Sequence, residues 1–130
     1  RLEVDHANKT LRIVDFKTGS PIEKWGSSMK AYKYRHQLYF YKFLIEGSHT
    51  WKSYKVVGAR LEFVEPKDLK NGVIAKPLTN DFDEQEEQEI KKLIQVVWDK
   101  IQELNLPDTS KYKPTLQGTL SFEHDLLTKA

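Results

Sequence analysis

The feature that most constrains the fold is a mostly apolar segment, residues 11–16, with a charged pair at its end. Its sequence, Leu-Arg-Ile-Val-Asp-Phe, contains the apolar and β-branched side chains typical of a central strand. Residues 1–6 before it alternate between apolar and polar side chains, which predicts a half-buried strand. Because a short polar turn at residues 6–9 joins the two segments, the sequence predicts a β-hairpin.

The hydrophobic pattern becomes helical over residues 32–46. Its apolar positions recur at intervals of four, three and four: Tyr34, Leu38, Tyr41 and Ile45. This spacing places them on one stripe of a helix, which Gly47 ends. Residues 54–64 then predict a long strand, and Val73 and Ile74 a short edge strand.

A second helix is predicted from its capping residues. Asp81 is the expected N-cap, and Glu84 three residues later completes a pattern like a capping box. Its apolar face comprises Ile90, Leu93, Ile94, Val97, Trp98, Ile101 and Leu104. Residues 108–130 predict a wrapping segment with a short helix near its end. The order strand, strand, helix, strand, helix predicts an α/β or α+β fold, a small mixed β-sheet flanked by helices.

Composition excludes several classes of protein. The 130 residues fit one domain over residues 1–130, and the net charge of +2 does not by itself indicate a nucleic-acid partner. The chain has no cysteine, which excludes disulfides and thiolate metal sites and fits a cytoplasmic location. No apolar run approaches the roughly 20 residues that span a bilayer, so we expect no membrane association. Since the chain opens within a strand pattern and without methionine, we expect it to lack the N-terminal part of its domain.

Asp15 and Lys17 are the residues that point to chemistry. They are two positions apart on a predicted strand, so their side chains lie on the same face. Charges at the end of an apolar strand are unfavourable unless they are paired. A Mg²⁺ or Mn²⁺ ion bound by Asp15 would pair with that charge and lower the pKa of a bound water. Lys17 would orient the water or stabilise developing negative charge. Taken alone, the two residues are more simply interpreted as an ordinary ion pair at a strand end.

Gln37 and Tyr41 lie four residues apart on the first predicted helix and therefore share one of its faces. Gln37 would hydrogen-bond near the edge of the site, and Tyr41 would steady it or contact DNA. The alternative is a surface glutamine and a core tyrosine.

Two motifs resemble a known family. Residues 13–19, Ile-Val-Asp-Phe-Lys-Thr-Gly, resemble the (D/E)xK motif of the RecB-type PD-(D/E)XK nucleases. Residues 37–41, Gln-Leu-Tyr-Phe-Tyr, resemble the Q-x-x-x-Y motif that follows it in that family. The resemblance covers residues 1–64 and implies a restriction-endonuclease-like fold. It also implies roles for four residues: a metal ligand at Asp15, the catalytic lysine at Lys17, and active-site supports at Gln37 and Tyr41.

The same resemblance implies Mg²⁺ or Mn²⁺ as cofactor, DNA as substrate and a helicase domain in the parent chain as partner. The family also carries an acidic ligand on the preceding strand. Residues 1–5 match the part that follows this acid, so we expect it immediately before Arg1. Asp5, at the far end of the strand, is the rival candidate.

A basic and aromatic stretch follows the motif: Lys24, Trp25, Lys30, Tyr32, Lys33, Tyr34, Arg35 and Lys42. We expect Lys33, Tyr34 and Arg35 in particular to contact DNA, with a solvated helix face as the alternative. The four histidines lack the spacing of a zinc site, and no phosphate-cradling glycine loop indicates an ATP site.

The resemblance therefore implies a metal-dependent DNA nuclease domain, part of a helicase–nuclease in DNA repair or recombination, with exonuclease or endonuclease action left open. The alternative is a non-catalytic DNA-binding or docking module that retains the nuclease fold.

Overall fold

A computed structural model of the chain describes residues 1–65 and 75–129. The strands in these ranges are β1 (Leu2–Asp5), β2 (Thr10–Thr18), β3 (Lys55–Glu65) and β4 (Leu78–Asn80). The helices are α1 (Met29–Gly47), α2 (Glu84–Gln102) and α3 (Leu116–Lys129). The strands form a mixed four-stranded sheet in the order β1-β2-β3-β4, which confirms the predicted α+β class. The predicted edge strand at Val73 and Ile74 lies outside the described residues.

The predicted hairpin is confirmed. β1 and β2 are antiparallel, with Leu2 opposite Ile13 and Asp5 opposite Thr10. The Asp5 carboxylate holds the turn because it accepts hydrogen bonds from Ala7 N at 3.0 Å, Asn8 N at 3.1 Å and Asn8 Nδ2 at 2.7 Å. The Asn8 side-chain amide is the largest of the influences that lower the pKa of Asp5. Asp5 therefore stabilises the turn.

β2 pairs with β3 in parallel, which places Asp15 beside Leu61 and Lys17 beside Phe63. Parallel neighbours need a crossover connection, and α1 lies within it. β4 then pairs antiparallel with β3, with Asn80 opposite Ala59. The crossover brings α1 to the side of the sheet where the core forms.

The core lies between α1 and one face of the sheet. Its buried cluster consists of Leu11, Ile13, Leu38, Val56, Ala59, Leu61 and Phe63. The other three residues of the predicted helical stripe, Tyr34, Tyr41 and Ile45, pack against this cluster, which confirms the stripe. Each fully buried aliphatic side chain here contributes about 1.5–3 kcal/mol. Burial of the stripe thus determines which side of α1 faces β2.

The start of α2 differs from the prediction. The N-cap is Asp83, whose Oδ1 accepts a hydrogen bond from Glu86 N at 2.8 Å, and the prediction of Asp81 was wrong. The physical reason lies in Phe82, whose ring contacts Tyr39 edge-on at 5.0 Å between centroids. Phe82 is needed in the core, so the chain stays extended past it and the next aspartate caps the helix.

The chain divides into two compact units, Arg1–Gly26 with Lys30–Phe82 and Ser27–Met29 with Asp83–Ala130. In the second unit α2 and α3 pack against each other. α3 has 14 residues and is longer than the short helix predicted for the tail. Of the predicted apolar face of α2, Ile90 is buried, whereas Trp98 is 56% exposed. Within the described ranges, no helix combines the length and the hydropathy needed to cross a membrane.

Candidate active site

Asp15 and Lys17 lie on the core-facing side of β2. Leu11 and Ile13, four and two positions before Asp15, are buried in the core cluster, so the alternation of the strand carries the charged pair onto the same face. Phe16, which lies between Asp15 and Lys17 in the sequence, is exposed on the opposite face. The sheet therefore presents the pair where the apolar core ends.

Three groups surround the Lys17 ammonium. Nζ of Lys17 lies 2.9 Å from Oδ2 of Asp15 and donates a hydrogen bond to Oε1 of Gln37. It also lies 4.4 Å from the centroid of the Tyr34 ring. The side chains of Asp15 and Lys17 are each only 14% exposed, so bulk water screens their attraction weakly. The structure thus joins the charged pair of β2 to two positions of α1.

One oxygen of Asp15 is left unsatisfied. Oδ2 is buried and, within the described residues, accepts no hydrogen bond, because the nearby Lys17 ammonium approaches it at a distance but not an angle suited to one. A buried carboxylate oxygen without a donor is unfavourable by about 1–3 kcal/mol or more. Oδ2 therefore forms an ion pair with Lys17 but accepts no hydrogen bond, and a metal ion could bind it in addition.

Gln37 and Tyr41 have different surroundings, although they share a face of α1. Gln37 contacts Lys17, as the motif implies. Tyr41, one turn further along the helix, is half-buried and packs against the core cluster. Its predicted role as an active-site support remains a prediction.

The loop between β2 and α1 is held by hydrogen bonds near its start and at Trp25. Gly19 has a φ of 92°, a left-handed conformation that a side chain disfavours, so the glycine of the motif is required by its backbone. Lys30 Nζ donates a hydrogen bond to the Ser20 carbonyl at 2.5 Å, and Trp25 Nε1 donates one to the Thr79 carbonyl at 2.6 Å. These bonds stabilise the backbone that follows Lys17.

The residues expected to contact DNA lie in different environments. Lys33 is exposed, Arg35 is half-buried, and Tyr34 is half-buried beside Lys17. Lys42 does not belong to an exposed basic surface, because it is 5% exposed and pairs with Glu46 at 2.7 Å. The predicted DNA contacts of Lys33, Tyr34 and Arg35 remain predictions.

Asp15 could serve as one ligand of a hard divalent cation, because its buried Oδ2 accepts no hydrogen bond. Residues 1–65 and 75–129 contain no group of three His, Cys, Asp or Glu side chains that could hold a metal ion. Asp5 is bonded within the turn at the other end of the hairpin.

Val14 N donates to Arg1 O at 2.9 Å and Arg1 N to Val14 O at 3.0 Å, so these two residues are paired. A residue joined before Arg1 would therefore stand opposite Asp15.

A separate cavity of about 380 Å³ lies within the second unit. Its lining includes Tyr112, Asp125 and three lysines, of which Lys111 and Lys129 pair with Asp125. Hydrogen bonds from Lys129, then Tyr112 and Lys111, hold the pKa of Asp125 far below its usual value. Oδ2 of Asp125 thus accepts three hydrogen bonds, whereas Oδ2 of Asp15 accepts none.

The mixed sheet, the crossover helix on one face and the acid–lysine pair at the end of β2 define an α+β protein of the restriction-endonuclease-like fold. The family model of the PD-(D/E)XK nuclease superfamily matches residues 1–115, and the chain belongs to this superfamily. Members of the superfamily are generally nucleases and typically use divalent metals. No curated protein and no solved structure matches the chain.

Sequence reasoning missed the contact between Tyr34 and Lys17, since it placed Tyr34 on the apolar stripe and among the expected DNA contacts but not beside the lysine. The signal was the spacing: Tyr34 precedes Gln37 by three residues, so the two are neighbours on the helix surface. Because Tyr34 and Gln37 are neighbours on α1, a fold that places Gln37 beside Lys17 also places Tyr34 there.

Proposed function

We propose that the chain is a metal-dependent deoxyribonuclease domain of the RecB type, which hydrolyses phosphodiester bonds in DNA. The observation that carries this proposal is the position of Lys17 Nζ, which lies between the Asp15 carboxylate and the Gln37 amide oxygen. An ammonium group held at a strand end beside an unsatisfied carboxylate suits a reaction in which negative charge develops on phosphate oxygens.

Each residue has a distinct role in this proposal. Asp15 would hold Mg²⁺ or Mn²⁺ through its unsatisfied oxygen, and the ion would supply Lewis acidity and a water of lowered pKa. Lys17 would donate a hydrogen bond from Nζ to the attacking water or to a phosphate oxygen. Gln37 accepts a hydrogen bond from Nζ, which limits the directions in which the other N–H groups point.

The finer assignments rest on the two sequence motifs that resemble the RecB type. On this basis we propose that a helicase domain of the same parent chain feeds DNA to the site, in repair or recombination. This association is an analogy between families and depends on no contact within the chain. The cytoplasmic location also remains a proposal.

The test is Mn²⁺-dependent cleavage of single-stranded DNA by the chain with one aspartate joined before Arg1. The pairing of Arg1 with Val14 puts this added carboxylate opposite Asp15. We expect cleavage, and Lys17→Ala should lower its rate by about 10²–10³-fold, as the removal of one preorganised donor does elsewhere. Rates are normalised to the folded fraction, measured by circular dichroism.

Two matched variants control this experiment. Lys52→Ala removes the same charge from an exposed position before β3 and should leave the rate unchanged. An asparagine joined before Arg1 in place of the aspartate has nearly the same size without the charge, and should cleave far more slowly. Wild-type cleavage by a folded Lys17→Ala protein would refute the assigned site.

A second candidate function is a non-catalytic DNA-binding module that retains the nuclease fold. It is favoured by the lack of an acidic cluster around Asp15 among the residues described. Binding of DNA without cleavage, even with the added aspartate, would support the module and reject the nuclease.

A further inference from the structure

We infer that Tyr34 is a positioning residue for Lys17, whose ammonium it holds through the face of its ring. The inference rests on the proposed function, because it gives Lys17 the catalytic role assigned above. It adds a residue that lies outside both sequence motifs.

The first observation is geometric. The Lys17 ammonium lies 4.4 Å from the centroid of the Tyr34 ring, within the roughly 6 Å over which a ring attracts a cation. Asp15 Oδ2 and Gln37 Oε1 contact the same ammonium. Two oxygens and one ring therefore limit the positions of Nζ more than the two oxygens alone.

The second observation is burial. Tyr34 is half-buried and packs against the core cluster, so its ring has a defined place on α1. The Lys17 side chain is 14% exposed, and desolvation strengthens the attraction between a cation and a ring. A flexible four-carbon side chain needs such restraint to present its ammonium in one geometry.

The third observation concerns a second lysine near the Tyr34 ring. Lys30 Nζ lies 5.8 Å from the same ring centroid and is bonded to the Ser20 carbonyl, which follows the motif glycine. Tyr34 thus lies next to both the catalytic lysine and the anchored loop. Its contacts are those of a support within the protein, which differs from the DNA contact expected from the sequence.

The test compares two substitutions at one position. Tyr34→Phe keeps the ring and its place in the core, whereas Tyr34→Leu keeps an apolar side chain but removes the ring. Ile45→Val, on the same stripe of α1, controls for a small loss of core packing away from Lys17. All three are studied beside the wild type at a temperature where each is folded.

The first readout is nuclear magnetic resonance of the 130-residue chain with ¹³C-labelled lysine, the Lys17 signal being assigned with Lys17→Arg. Protons above an aromatic ring shift upfield, so the ε-CH₂ signal of Lys17 should be upfield in the wild type, Ile45→Val and Tyr34→Phe. It should lose this shift in Tyr34→Leu. An unshifted signal in the wild type, or a shift that survives in Tyr34→Leu, would overturn the inference without reference to activity.

The second readout is DNA cleavage by the chain with the aspartate joined before Arg1. Tyr34→Leu should lower kcat roughly 10-fold while KM changes by less than about threefold, because a misplaced Lys17 affects the transition state more than binding. Tyr34→Phe should stay within about twofold of the wild type. Unchanged kcat in Tyr34→Leu would overturn the positioning role. Full activity of Lys17→Ala would instead refute the proposed function, and the resonance experiment would still decide whether Tyr34 holds Lys17.

Discussion

Two lysine–carboxylate pairs lie against α1, one beside Gln37 and one near the C-terminal end of the helix. In the second pair, Glu46 Oε2 contacts Lys42 Nζ at 2.7 Å and Glu46 Oε1 accepts a hydrogen bond from Val56 N at 3.0 Å, so both oxygens are bonded. In the first pair, Asp15 Oδ2 is buried without a hydrogen bond. The comparison separates a pair that stabilises the fold from one whose carboxylate is available to a ligand.

The difference also explains why an ion pair alone is weak evidence of function. Both pairs are mostly buried, and both join a lysine to an acid at less than 3 Å. The two acids differ in their hydrogen bonds: both oxygens of Glu46 accept one, whereas Asp15 Oδ2, the oxygen that faces Lys17, accepts none. Glu46 connects α1 to the first residues of β3, whereas Asp15 lies at the end of β2 where the core stops.

The largest expected effect concerns metal binding. In the chain with the aspartate joined before Arg1, Asp15→Asn should weaken Mn²⁺ binding by more than about 10-fold, because losing a ligand should exceed the ~10–100-fold loss known for outer partners of ligands. Glu46→Gln should leave the affinity unchanged, since both oxygens of Glu46 are bonded within the fold. Isothermal titration calorimetry measures both. Equal affinities in wild type and Asp15→Asn would show that Asp15 is not a ligand.

An effect of intermediate size is expected on stability. Lys42→Met should lower the free energy of unfolding by about 2–4 kcal/mol, because it leaves the Glu46 carboxylate without its counter-ion in a mostly buried site. The double variant Asp15→Asn with Lys17→Met should be as stable as the wild type or more so, since it removes a mostly buried ion pair whose acid oxygen accepts no hydrogen bond. Urea unfolding followed by circular dichroism gives both values. A double variant less stable than Lys42→Met would contradict the distinction between the two pairs.

The smallest effect concerns a third, more exposed pair, Glu3 with Arg60. The Arg60 guanidinium donates to both Glu3 oxygens, at 2.7 and 2.5 Å, and this contact is the main cause that lowers the pKa of Glu3. A lowered pKa in the folded state means that the stabilisation is complete above the unfolded value of about 4.3 and is lost as the pH falls through the folded value.

The stability difference between wild type and Glu3→Gln should therefore be small at pH 7 and should shrink further below about pH 4. Thermal unfolding at a series of pH values measures it, with Glu23→Gln, an exposed acid outside the pair, as control. A difference that grows on acidification would mean that the sign assigned to this pKa shift is wrong.

The local parts of the fold could be predicted from the sequence. Apolar side chains recur every two residues in a half-buried strand and about every 3.6 residues on the buried side of a helix. These recurrences predicted the hairpin, the stripe on α1 and the long strand β3. The contact between Lys17 and Gln37 agrees with the two motifs, since α1 follows β2 directly and packs on its core-facing side.

Contacts between distant segments could not be predicted. The bond from Trp25 to the Thr79 carbonyl joins residues 54 positions apart, and no local pattern marks it. The burial of Lys42 also depends on where Glu46 meets β3. The choice of Asp83 over Asp81 as N-cap depended on the packing of Phe82, which the spacing of acidic residues does not reveal.

The shared face of β2 has an evolutionary consequence. Leu11, Ile13, Asp15 and Lys17 follow one alternation along a single strand. An insertion or deletion of one residue between Ile13 and Asp15 would turn the charged pair away from the face of Leu11 and Ile13 and shift the register of β2 with β3. Selection that preserves folding therefore also preserves the orientation of the charged pair, even in descendants that no longer need its chemistry. If Asp15 and Lys17 have the roles proposed above, the geometry of this strand can be retained after the activity is lost, whereas the identity of the two residues would show whether the activity is still under selection.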